Sequence, residues 1–155
     1  MPIPDFILDL RRSVGQVELW LPGITAVVVR GDDVLLVRRS DNGDWSPVTG
    51  IVDPGEEPGV TARREVLEET GVEVSVDRLA WVQALPTITH VNGDVATYLD
   101  HTFACSYLRG EPHVADDESL EVRWCPLDAL PPMSASARAR IECVLAGDPV
   151  TRFAS

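Results

Sequence analysis

The chain predicts an α/β fold, a mixed β-sheet covered by helices on both faces, and three features carry that reading. Strand-like runs alternate with helix-like stretches along the sequence, as in layered α/β architectures. Two of those runs, Ile24 to Arg30 and Val34 to Arg39, are β-branched or aliphatic without alternation, which calls for cover on both sides. At 155 residues, 45% hydrophobic and 25% charged, the chain has the size and composition of one globular domain with a sizeable core. The expected domain spans residues 1–155, of which 1–20 form an N-terminal helix and strand extension.

Taken in order, Pro4 to Val14 reads as an amphipathic helix, with Phe6, Ile7, Leu10 and Val14 on the buried side and Gly15 as its stop. Val17 to Trp20 reads as a strand closed by a Leu21-Pro22-Gly23 turn. Ile24 to Arg30 and Val34 to Arg39 form a hairpin about Gly31-Asp32-Asp33. A loop from Asp41 to Asp44 leads through Trp45 to Val52 into a helix that begins at Pro58, whose fixed φ and missing N–H suit the first turn. That helix ends at Gly71, which suits a left-handed cap. Ala62, Val66 and Thr70 are its buried stripe. Val72 to Val76 and Leu79 to Leu85 read as two strands, Asn92-Gly93-Asp94 as a turn, and Val95 to Leu108 as the longest strand. Ser119 to Trp124 is a further strand and Leu127 to Leu130 a connector. Ser134 to Ala146 closes the chain as a serine-capped helix with Ile141, Val144 and Leu145 inward.

The stretch GIVDPGEEPGVTARREVLEETGV, Gly50 to Val72, carries the chemistry. On a helix, Glu65, Glu68 and Glu69 fall within roughly a third of the circumference, since positions i, i+3 and i+4 are neighbours. Like charges so placed cost a few tenths of a kcal/mol, and acids in a last turn oppose the dipole. A divalent cation would compensate, because hard ions such as Mg²⁺ take carboxylate and phosphate oxygens. Glu56, returned by the Asp53-Pro54-Gly55 turn, would be a fourth acid there. A solvated acidic helix face is the plain alternative.

The full spacing resembles the Nudix box, G-x5-E-x7-R-E-U-x-E-E-x-G-U with U aliphatic. Gly50, Glu56, Arg64, Glu65, Val66, Glu68, Glu69, Gly71 and Val72 fill its fixed positions. The flanks are also similar to the family, in the VLLVRR strand, the Trp-x-x-Val-Thr-Gly approach and the ESLEVRWCPLDALP segment. Thr49 stands where the family usually has the first of two glycines, whose contribution is a backbone carbonyl to the metal; threonine keeps that carbonyl. The resemblance implies an α/β/α sandwich with an extra N-terminal helix, in which the box forms a loop-helix-loop. It implies hydrolysis of a pyrophosphate bond by water with Mg²⁺, or Mn²⁺ in its place. Glu65, Glu68 and Glu69 would be the main ligands and Glu56 a further one. Arg64 would orient a glutamate through a charge-assisted hydrogen bond. A box glutamate or a later acid, among Asp116, Asp117, Glu118 and Glu121, would be the base.

Other residues carry weaker signals. Arg38 and Arg39 end a strand near the box and are candidates for holding a phosphate, with a surface ion pair as the alternative. His90, His101 and His113 are isolated and read as structural. Trp45, Trp81, Tyr98 and Phe103 read as core, one of them lining the pocket. Pro86 stands fourteen residues past Val72, whereas the ADP-ribose subgroup tends to place a proline about sixteen past the box, so substrate choice stays open.

Twenty-five acidic against 13 basic residues give a net charge of −12, and the basic residues are all arginine. Such a surface argues against nucleic acid or an anionic membrane as partner and for a small-molecule nucleotide held by cations and local arginines, with a homodimer left open. Cys105, Cys125 and Cys143 are odd in number, with no C-x-x-C pair, so reduced thiols in a cytoplasm are expected. Asp5 and Asp9 do not suit a signal peptide, and no apolar run approaches the ~20 residues of a membrane span.

Overall fold

The computed structural model of the chain describes residues 3–155. Its elements are α1 (Asp5–Val14), β1 (Leu19–Arg30), β2 (Asp33–Arg39), β3 (Trp45–Ser46), β4 (Val48–Ile51), α2 (Pro58–Thr70), β5 (Glu73–Ala84), β6 (Ile88–Thr89), β7 (Val95–Arg109), β8 (Ser119–Pro126) and α3 (Ala135–Leu145). The sheet path is β3-β2-β1-β7-β5, with β4 also pairing β1, β6 pairing β7 and β8 pairing β2. The β1–β7 ladder is parallel and the others are antiparallel, which makes the sheet mixed.

The apolar runs of β1 and β2 are covered on both faces, as their composition requires. Ile24, Ala26 and Val28 lie under α2 together with Ala62, Val66 and Val74. The alternate residue Val27 faces α3, with Val34, Leu36, Ile141 and Val144. A third, smaller cluster joins Ile7 of α1 to Leu19, Leu21 and Ala96. The β1–β2 hairpin turns through Gly31, whose φ of +58° a side chain would disfavour. Among the described residues no helix is long and apolar enough to cross a membrane.

Several local expectations give way. Leu21-Pro22-Gly23 is not a turn: β1 runs straight through it, paired with Leu99 and Asp100 of β7, and the Pro22 carbonyl accepts from the Val52 N–H at 3.0 Å. Proline costs β1 one N–H but leaves the ladder on either side intact. The two strands expected at 72–76 and 79–85 are a single β5, whose breaks near Asp77 and Ala80 are irregularities in the register against β7. In α1 only Ile7 is buried, and Leu10 and Val14 are exposed. In α3 Leu145 is exposed too, while Arg140 takes a place in the inward stripe of Ala137, Ile141 and Val144.

Candidate active site

The apolar stripe of α2 sets the orientation of its acids. Pro58 opens the helix, Gly71 closes it at φ +71°, and the Gly71 N–H donates to the Leu67 carbonyl at 2.9 Å. Ala62, Val66 and Thr70 are fully buried against the sheet. That rotation carries two glutamates inward with them: Glu65 is 0% and Glu69 4% exposed, whereas the Glu68 side chain is 46% exposed. The three share one edge of the helix at graded depth.

Glu65 fits only because residue 50 is glycine. A Cβ on Gly50 would lie 2.5 Å from Glu65 Cγ and 2.7 Å from Oε1. β4 thus presents bare backbone to the carboxylate. Arg64 Nη1 donates to Glu65 Oε1 at 3.0 Å, and Oε2 is buried with no hydrogen bond among the described residues. An orphaned carboxylate oxygen of this kind is expensive unless a proton or a cation meets it. Burial pushes the Glu65 carboxyl up to about 8 against the partial opposition of Arg64. Burial also pushes Glu69 up to about 8, helped by the charges of Glu118, Glu65 and Asp116.

Arg64 ties the cluster together. Its Nε and Nη2 grip Glu56 Oε1 and Oε2 at 3.0 and 2.8 Å, and its Nη1 also donates to Glu68 Oε2 at 3.0 Å. Glu56 arrives through the expected turn: Gly55 has φ +84°, the Glu56 N–H donates to the Asp53 carbonyl, and Thr61 Oγ1 donates to Glu56 Oε2 at 2.7 Å. The Arg64 fork holds the Glu56 carboxyl down at about 2. Arg64 thus offsets part of the charge of Glu56, Glu65 and Glu68, the crowding for which the sequence suggests a cation.

A later loop completes the acidic edge. The His113 and Ala115 N–H groups donate to the Thr70 and Glu69 carbonyls at 3.0 and 3.2 Å, using acceptors that a helix end leaves free. The Ser40 N–H holds the other end through the Glu118 carbonyl at 2.7 Å. Between these ties, Asp116 and Glu118 each bring a carboxylate oxygen within 4.8 Å of Glu69. Of the four loop acids singled out, Asp117 is exposed and outside this group, and Glu121 sits on β8 in an ion pair with Arg123. Among the described residues the expected ligands Glu56, Glu65 and Glu68 meet at Arg64 and not in this group, which joins Glu69 to Asp116 and Glu118. All of these donors are oxygens and the buried Glu65 Oε2 lacks a partner, so the residues present fit a hard divalent cation.

A cavity of about 540 Å³ opens beside the cluster, with Thr49, Gly50, Glu69 and Glu118 at its acidic end. Arg39 also lines it, held bidentately by Asp41 at 2.9 and 2.6 Å with Nη1 3.4 Å from Thr49 Oγ1. Arg38 is exposed, donates to the Gly43 carbonyl and does not line the cavity. Tyr98 and His90 line the wall with Tyr98 Oη and His90 Nε2 3.0 Å apart, and Trp45 lines it too. His101 donates through Nδ1 to the Gly23 carbonyl, and His113 packs its ring over Gly71. The cysteines are free, and burial pushes the Cys105 thiol up to about 12, away from any nucleophilic role.

The cavity also reaches a buried polar group that sequence reading missed, made of Asp100, Arg140 and the Thr25 that Arg140 grips. Both charged residues left a signal: an acid inside the long β7 run, and an arginine at the i+3 position of the inward stripe that starts at Ala137.

The NUDIX domain family matches residues 20–144. The NAD-capped RNA hydrolase NudC of Pseudomonas aeruginosa is 37% identical over 130 residues, covering 81% of this chain and 44% of that protein. A MutT-like protein of Streptomyces ambofaciens is 38% identical over 106 residues, covering 68% of this chain and 63% of the relative. The chain thus spans less than half the length of the NudC relatives it matches. Among solved structures, a NUDIX hydrolase from Nitrosomonas europaea superposes with a TM-score of 0.69 at 26% identity, over 83% of this chain and 90% of its own.

Proposed function

The chain belongs to the NUDIX family, and from that premise we propose that it is a metal-dependent pyrophosphohydrolase acting on a nucleoside diphosphate linked to another moiety. One observation carries the reading: an all-oxygen group of Glu69, Asp116 and Glu118, with the buried, half-unpartnered Glu65 one turn back along α2, beside a cavity with room for a nucleotide that Glu69 and Glu118 line. Glu56, Glu65, Glu68, Glu69 and the Thr49 carbonyl would hold Mg²⁺ or Mn²⁺. When bound, the cation neutralises diphosphate charge and makes water a stronger nucleophile.

The protein's own groups do the rest. Arg64 fixes the carboxylates in one array, so that their positions are set before substrate arrives. Glu118 or Asp116, beside Glu69, accepts the proton of the attacking water. Arg39 binds the distal phosphate by exchanging Asp41 for a phosphate oxygen; Arg38 lies outside the cavity and takes no part. The products are a nucleoside monophosphate and a phosphorylated remainder. NAD is itself a dinucleotide joined through a diphosphate, so the NudC relatives' names fall within this substrate class.

Removal of damaged or excess nucleoside triphosphates is the alternative within the same chemistry, and a non-catalytic nucleotide sensor is the alternative outside it. A sensor has no need of the box glutamates, and all are present here. The test is a screen of nucleotide sugars, dinucleotides and triphosphates with Mg²⁺, identifying both products. Turnover confined to triphosphates would favour the alternative, and binding without any turnover would favour a sensor.

A further inference from the structure

Arg140 is buried, yet part of its guanidinium is uncommitted. It is 7% exposed, on the inward face of α3. Its Nε donates to the Ser136 carbonyl at 3.2 Å and its Nη1 to Thr25 Oγ1 at 2.6 Å. Thr25 in turn donates to Asp100 Oδ1 at 2.8 Å, and Thr102 donates to Asp100 Oδ2 at 2.8 Å. Asp100 Oδ1 is 3.8 Å from Arg140 Nη1. Among the described residues Arg140 Nη2 has no hydrogen bond, and Arg140 lines the same cavity as Glu69 and Thr49. A planar donor fork is thus aimed by three neighbours and left with an open edge.

Its place in the sheet puts that edge within reach of the substrate. Thr25, which Arg140 grips, is the β1 partner of Thr49 on β4. Paired residues have Cβ atoms about 4.5–5.5 Å apart, so the fork is anchored one strand away from the acidic end of the cavity. Its chemistry is also defined. Asp100 offsets the arginine charge, so a second phosphate gains little there. Both Asp100 oxygens already accept hydrogen bonds, so the site offers donors in preference to acceptors.

We propose that Arg140 is a specificity-determining residue that donates to O6 of a guanine or O4 of a uracil in the substrate, selecting these bases over adenine and cytosine, which carry an amino group at the same position. Arginine donating to the O6 and N7 acceptors of guanine is the commonest form of such recognition. The inference rests on the nucleotide-hydrolase reading above and adds the substrate class to it. A merely structural Arg140 would pin α3 to β1 and leave base preference untouched.

The experiment uses GDP-, UDP-, ADP- and CDP-glucose, which differ only in the base, with kcat and KM measured in Mg²⁺. In parallel, binding of GMP, UMP, AMP and CMP is titrated by calorimetry. The wild type is expected to prefer the guanine and uracil compounds by about tenfold or more in kcat/KM and in affinity. Arg140→Met should bring the four within about threefold of one another, with the loss in KM rather than kcat. Because that variant leaves Asp100 buried without its counter-charge, the double variant Arg140→Met/Asp100→Asn is measured alongside it, with melting temperature as the folding control. Arg140→Lys should restore part of the preference. A folded variant that keeps the wild-type base preference would overturn the proposal, as would a wild type that is indifferent to the base or favours adenine or cytosine. Base-selective binding without hydrolysis would uphold the role of Arg140 and refute the hydrolase reading instead.

Discussion

Glu65→Gln isolates the energetic consequence of burying a carboxylate behind Gly50. Burial pushes the Glu65 carboxyl up to about 8, against 4.5 for an ordinary glutamate. A raised carboxyl favours the folded state below its unfolded pKa, and that contribution is lost as pH climbs through the window from 4.5 to about 8. Between pH 5 and pH 7 the loss is about 2–3 kcal/mol, at 1.36 kcal/mol per unit. For a chain of this size it corresponds to a melting temperature lower by about 4–12 °C. Glu69 adds a loss of the same sign over the same window, while Glu56, held at about 2, changes only below it. Glutamine does not titrate, so in chelator the melting temperature of the variant should fall less steeply from pH 5 to pH 7. The slope is the quantity to compare, because a glutamine N–H placed at the orphaned position adds a constant cost of about 1–3 kcal/mol at every pH. Scanning fluorimetry or calorimetry in EDTA at matched ionic strength supplies both slopes. Parallel curves for wild type and variant would refute the burial argument.

Other consequences follow from the same geometry. Millimolar Mg²⁺ at pH 7 should raise the wild-type melting temperature more than that of Glu65→Gln and release protons to the buffer, as linkage requires; a metal-independent melting temperature would count against a preformed site. Glu68→Gln should lower turnover by about 10²-fold or more with little change in the fold, since that side chain is half exposed; near-normal turnover would remove Glu68 from the metal set. Gly50→Ala drives a methyl to 2.5 Å from Glu65 Cγ, and should cost about 1–3 kcal/mol of stability and most of the activity; an active variant of unchanged stability would show that β4 or Glu65 moves freely.

The sequence made the frame of the site readable because local chemistry decides it. Pro58, Gly71 and the Ala62, Val66 and Thr70 stripe set both the extent and the rotation of α2, so the helix lies where its pattern places it. The fixed spacing also put Glu56 beside Arg64, although the strength of that clamp depends on the Asp53–Glu56 turn closing in space. What stayed hidden depends on distant chain segments. Asp116 and Glu118 are distinguished from Asp117 and Glu121 by long-range backbone ties, from 113–115 to the end of α2 and from Ser40 to the Glu118 carbonyl. The Thr25, Asp100 and Arg140 group joins β1, β7 and α3, which no local window spans. The burial of Glu65 and Glu69 likewise runs against the plain alternative of a solvated acidic face, because the stripe that docks α2 overlaps the acidic edge.

The most direct test of a carboxylate edge that delivers water to phosphorus is hydrolysis in ¹⁸O-labelled water, with both products analysed by mass spectrometry. A nucleotide sugar or dinucleotide identified as a substrate should be cleaved in Mg²⁺, and cleavage should stop in chelator. One ¹⁸O should enter a single phosphorylated product, because the bridging oxygen leaves with the other. Free base, free nicotinamide or unphosphorylated sugar as the primary product, or undiminished cleavage in chelator, would contradict the account.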